Sequence, residues 1–481
     1  MVDKNNSQLK KSNRTTFIIS GVFILAIISL LFYLSWSYEP QTTYENFPEF
    51  SAADRILIFA PHPDDETLGT AGIIQRAKEK NATILVVSMT DGSGSHGKDM
   101  FKNFLASSNS TANETLPELR HRELIAAVSA LGLNQSEIIF LGYPDAGLKS
   151  MFEDYWDSPY QSSNDFNSFN QSPYNYSYQK NASFTGANVA NNVKTIIKDF
   201  KPTIIFYPDD GDDHTDHLAT SAFVRYAALE ANYTGKNYTY LVHKGLKWPT
   251  PGSYIPRDNL LPPYEVLALD AKWMLLNLSS NEENIKLNGL NKYHSQLFLT
   301  NDYLKSFIRT NELFAVYPKI EIEEENGIDF SLGIMPNSTF QDIRMDTRTE
   351  LLKPADDLSA LGLAYDNNYL YIVLETADRI DNNLIHNFKL RMWNGTQFKR
   401  IDITVQNNKA SYEIKANNSV QSDQSPGIIS SDYYMVISIP LSLVKGEKVI
   451  MLSSNVVDSQ NKEIDMIAWR DLYFPEEFSQ T

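Results

Sequence analysis

Hydrophobic positions along the chain follow two regimes. From about residue 54 to 315, short apolar runs alternate with longer stretches of helical period. Arg55-Ile56-Leu57-Ile58-Phe59-Ala60 and Thr203-Ile204-Ile205-Phe206-Tyr207 are almost wholly apolar, as strands buried on both faces are. The pattern predicts strands at 55–60, 83–89, 136–141, 203–207 and 238–243, with helices at 66–80, 117–131, 186–200 and 217–230. Strand alternating with helix predicts an α/β domain over 54–315, a Rossmann-like parallel sheet with helices on both faces. No GxGxxG follows the first strand, so a dinucleotide site is not expected.

After a helical stretch at 281–311 the period shortens to two. Runs at 361–365, 369–374, 388–392, 398–405, 410–414, 433–439 and 449–453, separated by Asn, Asp and Gly, predict an all-β sandwich over 316–481. At the other end, polar residues 1–16 carry Lys4, Lys10, Lys11 and Arg14 and precede the uncharged stretch 17–38. Its apolar part is long enough to cross a bilayer, and the flanking charges put residues 1–16 in the cytoplasm. The expectation is a single-pass cell-membrane protein with a stalk at 39–53 and the remaining chain outside; a cleaved signal peptide is the alternative.

Composition narrows the partners. With 42% hydrophobic residues, the 481-residue chain can build two or three ordinary cores. A net charge of -17 argues against nucleic acid and anionic lipid. The absence of cysteine removes disulfides and thiolate metal sites, leaving nitrogen and oxygen ligands. Many Asn-x-Ser/Thr sequons, among them Asn81, Asn134 and Asn277, fit an extracellular glycoprotein.

Two polar clusters follow two of the apolar strands. Pro61-His62-Pro63-Asp64-Asp65-Glu66 comes after the first, and Pro208-Asp209-Asp210-Gly211-Asp212-Asp213-His214-Thr215-Asp216-His217 after the strand at 203–207. In an open α/β sheet both would meet at the carboxyl ends of the strands, where ligands bind. His62, Asp65 and His217 would form a set of two imidazoles and one carboxylate with a coordination position left open, which suits catalytic zinc and also iron or cobalt. An acidic turn at a helix N-terminus is the bland alternative.

The chain resembles the LmbE-like, PIG-L type zinc-dependent de-N-acetylases, which carry [PA]HPDDE after the first strand and HxDH after a later one. Weaker similarity lies in Ser88-Met89-Thr90-Asp91-Gly92, in Arg120 to Glu123 and in Phe140-Leu141-Gly142-Tyr143-Pro144-Asp145. Where the family often has Gly-Glu after the Thr, this chain has Asp91-Gly92. The resemblance implies hydrolytic removal of acetyl from an N-acetylglucosamine-type glycan or glycolipid, with Zn2+ on His62, Asp65 and His217, Asp64 as general base, and Arg120 and Asp145 at the substrate. The residues agree with that division. Adjacent carboxylates point in different directions, so Asp65 can hold metal while Asp64 takes a proton.

His214, three residues before His217, can donate to the oxyanion or the departing amine, and Asp216 can orient a histidine. Glu66 is read as a helix cap, Arg120 alternatively as a salt-bridged helix residue, His96 and His243 as ordinary surface or strand residues, and His294 either as packing against the sheet or, in Tyr293-His294-Ser295-Gln296, as part of a stretch that resembles a late helical motif of the family. Two Ser- and Asn-rich insertions, 92–116 and 150–185, are expected over the crevice, with Tyr155, Trp156, Tyr160, Phe166 and Phe169 as sugar-stacking platforms or else in a disordered glycosylated loop. Tyr365 to Ile372 faintly resembles sugar-binding sandwiches; a structural appendage is the other reading. Two further functions stay open, an inactive surface glycan-binding protein and a zinc amidohydrolase acting on a non-sugar amide.

Overall fold

The first strand forms where its apolar run predicts, at Arg55–Ala60 (β1), and Ile56 through Ala60 are fully buried. It belongs to a computed structural model describing residues 44–94, 97–107, 114–245, 248–249, 256–343, 357–416, 419–421 and 425–478. The expected membrane span at 17–38 and His96 lie outside the described residues. Among the described residues no helix is long and apolar enough to cross a membrane. Asn46–Thr481 forms one compact unit.

The elements that follow are α1 (Asp65–Glu79), β2 (Thr83–Thr90), α2 (Lys98–Ser107), α3 (Leu116–Ala130), β3 (Ile138–Tyr143), α4 (Leu148–Glu153), α5 (Gly186–Phe200), β4 (Ile204–Pro208), α6 (Thr215–Glu230) and β5 (Lys236–Tyr240). Then come β6 (Lys272–Asn277), α7 (Ser280–Leu290), α8 (His294–Lys305) and β7 (Asn311–Val316). Within the sheet the order runs β6-β7-β5-β4-β1-β2-β3. Strands β5, β4, β1, β2 and β3 are mutually parallel, as expected. The sheet as a whole is mixed, because β7 runs antiparallel to both β5 and β6. The stretch read as helix over 281–311 breaks after α8 and returns as β7.

Chain order reverses on either side of β1, which pairs with β2 and β4, so the crevice outside the carboxyl ends of β1 and β4 is a topological switch point. Helices cover both faces. One group packs α1 against α7 and α3 against α7 and α8, and the other packs α6 against α4 and α5. Local chemistry accounts for the shifted boundaries. β3 starts two residues later than expected because Asn134 and Glu137 close a capping box around a single 3-10 turn. β5 stops at Tyr240 because the N–H groups of Val242 and His243 donate to the Asp212 carboxylate (3.2 and 3.0 Å) instead of to a strand.

Beyond β7 the chain builds two β-sheets. Short pieces Ile320–Glu321 (β8), Glu323–Glu324 (β9) and Ser338–Gln341 (β10) lead into β11 (Leu358–Tyr365), β12 (Tyr369–Thr376), β13 (Ile385–Trp393), β14 (Phe398–Gln406), β15 (Lys409–Ala416) and β16 (Ser419–Gln421). Next come β17 (Gly427–Ser430), β18 (Tyr434–Pro440), β19 (Val449–Val457) and β20 (Glu463–Tyr473). One sheet is ordered β9-β11-β12-β18-β17 with β10 beside β11, the other β16-β15-β14-β13-β19-β20-β8. Alternate residues of both, such as Leu361, Ile372, Leu390 and Ile450, form one core.

This sandwich is docked on α4 and α6. Trp469 and Met451 bury into the same core as Phe152 and Phe223, and Phe398 stacks on Tyr226 at 3.7 Å. Lys389 pairs with Glu153 at 2.5 Å and Arg400 with Asp157 at 2.5 Å.

Candidate active site

The turn after β1 carries the strain that marks the site. Asp64 has φ 139°, a value a non-glycine residue rarely adopts, while its carbonyl accepts the N–H groups of Thr67 and Leu68 that open α1. Glu66 accepts from the Asp64 N–H and from the hydroxyls of Thr67 and Tyr293, so it does brace the helix start; burial pushes its carboxyl up to about 7. Gly69 on α1 lets Tyr240 close in, since a Cβ there would lie 2.3 Å from the ring.

Asp65 is the hub. Its Oδ2 stands 3.2 Å from His62 Nδ1 and 3.2 Å from His217 Nε2, and it accepts the His62 N–H at 2.8 Å. His217 lies on the first turn of α6, with Nδ1 3.0 Å from Asp212 Oδ2. Both ring nitrogens of His217 are buried without a well-angled hydrogen bond, although a carboxylate oxygen stands close to each. Such a side chain is poised for a partner that sits between the groups. Nitrogens of His62, His214 and His217 lie within 4.8 Å of one another, as do donor atoms of Asp65, His217 and His243.

Charge points the same way. Burial works against the His62 imidazolium, yet Asp145 and its neighbours hold it well above the ordinary range. His217 is likewise disfavoured by burial but raised to about 9 by Asp212 and Asp65. Asp65, in spite of burial, is held well below the usual carboxylate range by His217. Both imidazoles thus lie among the buried carboxylates of Asp65, Asp145, Asp212 and Asp216, which favour positive charge at this place. The nitrogen and oxygen donor set therefore fits a divalent cation.

The proton-handling groups flank this cluster. Desolvation raises Asp64 to about 7, opposed chiefly by Arg120, whose Nη2 lies 3.1 Å from the carboxylate. Arg120 is buried and also donates to the carbonyls of Gly92 (2.8 Å) and Pro63 (2.5 Å), so it is salt-bridged and lines the pocket at once. His214 caps α6, and its Nδ1 accepts the Asp216 N–H at 3.2 Å. That bond assigns the ring proton to Nε2. Burial and the nearby charges of His62 and His217 lower His214 to about 4, so it is neutral at ordinary pH.

Asp216 Oδ2 lies 3.4 Å from His62 Nε2 and accepts the Ala146 N–H at 2.6 Å, while Oδ1 accepts that of Leu148 at 3.0 Å. Asp145 Oδ1 is also 3.4 Å from His62 Nε2, and the Gly94 N–H holds its other oxygen at 2.9 Å. These groups surround a pocket of about 240 Å³ lined by His62, Asp64, Arg120, Asp145, His214 and His243, among others.

The sequence reading gave no role to Asp212 or Asp91 and took His243 for an ordinary surface or strand residue, whereas it lines the pocket. Asp212 backs His217, one of four aspartates in a run where spacing singles out none. His243 sits 4.7 Å from the His217 ring; its signal was a position just past the strand beside β4. Asp91 accepts from Asn167, Tyr174 and the Asp145 N–H, tying the 150–185 insertion to the site.

Other expectations need correcting. Trp156 packs against Tyr226 and Phe223 under the sandwich, and Phe166 lies edge-on to Phe101, so neither is a free platform. His294 is exposed and does not pack against the sheet.

Residues 57–228 match the family model described as PIG-L: GlcNAc-PI de-N-acetylase. Among curated proteins, the chain is 29% identical over 168 residues to a probable N-acetyl-alpha-D-glucosaminyl L-malate deacetylase 2 of Bacillus subtilis (strain 168), covering 34% of this chain and 57% of the relative. It is 27% identical over 194 residues to a 1D-myo-inositol 2-acetamido-2-deoxy-alpha-D-glucopyranoside deacetylase of Mycobacterium sp. (strain KMS), covering 39% and 54%. The chain thus spans a little over half the length of these relatives. A solved structure, the A40926 pseudoaglycone deacetylase Dbv21, aligns at 17% identity and TM-score 0.37 over 55% of this chain and 96% of that one. The family match is thus one of similarity over residues 57–228, about a third of the chain.

Proposed function

We propose that this protein is a metal-dependent hydrolase that removes the acetyl group from an N-acetylated sugar of the N-acetylglucosamine type, outside the cytoplasm. The observation that carries the reading is the joint approach of His62 and His217 to Asp65, with Asp64 beside them at the pocket wall. The curated relatives, named as deacetylases of N-acetylglucosaminyl compounds, support the substrate class.

His62, Asp65 and His217 would hold the ion, with zinc the first choice. When bound, it supplies Lewis-acid polarisation and a lowered pKa for water. Asp64, held in place by Arg120, takes a proton from the water that attacks the acetamide carbonyl. His214 donates its Nε2 proton as a hydrogen bond to the oxyanion developing on that carbonyl, because Nδ1 is committed to the Asp216 N–H. The C–N bond then breaks, and the proton held at Asp64 passes to the leaving nitrogen. Acetate and a free amino sugar result.

The test is acetate release from a panel of N-acetylglucosamine glycans, N-acetylglucosamine glycolipids and non-sugar acetamides. Release from the sugars carries the proposal; release confined to non-sugar amides, or none at all, overturns it.

A further inference from the structure

Outside the pocket, a connected polar cluster joins the sandwich to the loop between β4 and α6. Arg470 of β20 is buried, places Nη1 3.0 Å from Asp210 Oδ2, and lies 3.5 Å over the ring of Tyr317. The Tyr317 hydroxyl donates to Asp209 Oδ1 at 2.8 Å. One sandwich guanidinium thus touches Asp210 directly and the tyrosine that anchors Asp209. Asp210 is further held by Arg225 at 2.8 Å and the Ser221 hydroxyl at 2.9 Å, both on α6. Asp209 is further held by the Thr239 hydroxyl on β5.

Two residues on, the same loop delivers Asp212, whose Oδ2 faces His217 and whose Oδ1 accepts the His214 N–H at 2.9 Å. A short loop clamped at Asp209 and Asp210 has little freedom left at Asp212.

We propose that the C-terminal sandwich is a positioning element of the metal centre, with Arg470 as the positioning residue, acting through Asp210 and the Tyr317–Asp209 pair on the loop that aims Asp212 at His217. This rests on the reading that His62, Asp65 and His217 hold a metal. It differs from a glycan-binding or purely structural sandwich in requiring that metal affinity depend on a residue of β20. No sandwich residue need touch substrate.

The experiment compares the full-length chain with Arg470→Met, Arg470→Lys, Tyr317→Phe and Arg400→Met. Arg400 pairs with Asp157 and lies over Trp156 at the same seam, through contacts that involve neither Asp209 nor Asp210. Affinity for Zn2+ is read by chelator competition, and site symmetry by the visible spectrum with Co2+. Arg470 borders a cavity of about 220 Å³, so Met can be accommodated there.

The expected result is roughly tenfold weaker metal binding and an altered cobalt spectrum for Arg470→Met, the low end of what supporting residues cost. Arg470→Lys should keep part of the affinity, and Arg400→Met should bind as the wild type does. If Arg470→Met does not fold, Tyr317→Phe, which keeps the ring and removes only the hydroxyl on Asp209, must still weaken binding. Unchanged affinity in the folded variants, or an equal loss in Arg400→Met, overturns the inference. A wild-type chain that binds no metal would instead strike the reading beneath it.

Discussion

Asp212 Oδ2 lies 3.0 Å from His217 Nδ1 while the same carboxylate accepts the N–H groups of Val242, His243 and His214. Four backbone or ring nitrogens converge on one side chain, so the carboxylate cannot turn without releasing several of them. Its orientation is inherited by His217, whose Nε2 faces Asp65.

Replacing Asp212 with Asn should therefore weaken metal binding by about 10- to 100-fold while the chain still folds. Chelator competition on purified protein measures it. Wild-type affinity in Asp212→Asn would mean that His217 is aimed by something else.

Asp64 sits at φ 139°, where Asn is among the better tolerated replacements. Asp64→Asn should keep fold and metal but lose activity by at least about 100-fold, the lower range for a general base. Metal content by mass spectrometry and rate of acetate release check both halves. Full turnover in this variant would remove Asp64 from the mechanism.

Gly69→Ala should destabilise the fold by about 1–3 kcal/mol, because its Cβ would meet the Tyr240 ring at 2.3 Å and Tyr240 is tied by its hydroxyl to the Phe59 carbonyl at 2.8 Å. Denaturant unfolding gives the value. A loss within error of zero would show that Tyr240 has room to retreat.

The seam between sandwich and sheet should carry a pH signature. Glu153 is raised by burial but brought below its ordinary pKa by Lys389, so its contribution is present above the unfolded value of about 4.3 and lost as pH falls through the folded one. Lys389 is lowered by burial but raised above its ordinary value by Glu153, so its contribution is present below about 10.4 and lost as pH rises through the folded value. The contribution of this pair, read as the difference in unfolding midpoint between the wild-type chain and Glu153→Gln, should stay level between about pH 5 and 10 and fall beyond either end. Glu153→Gln should flatten the acid drop; an unaltered acid limb in that variant would contradict the pairing.

Much of the site was legible because its residues stand next to apolar strands. The runs at 55–60 and 203–207 fix two adjacent parallel strands, and that alone brings His62 and His217 to one crevice. Asp212 was not legible because its role depends on a side chain turning back to Val242 and His243, a contact no periodicity encodes. Trp156 looked like an exposed platform because aromatic residues in a polar loop read alike; only the docking of Phe398 on Tyr226 shows what covers that face. The returning β7 went unread because its apolar run, Leu313-Phe314-Ala315-Val316, is only four residues long and follows the polar Arg309-Thr310-Asn311-Glu312 at the end of a helical stretch.

The most direct measurement is acetate release from an N-acetylglucosamine substrate by the full-length chain before chelation, after it, and after one equivalent of zinc is returned. The account predicts activity that vanishes with the metal and returns with it in all folded preparations. Acetate release that persists in thoroughly metal-free protein would contradict it.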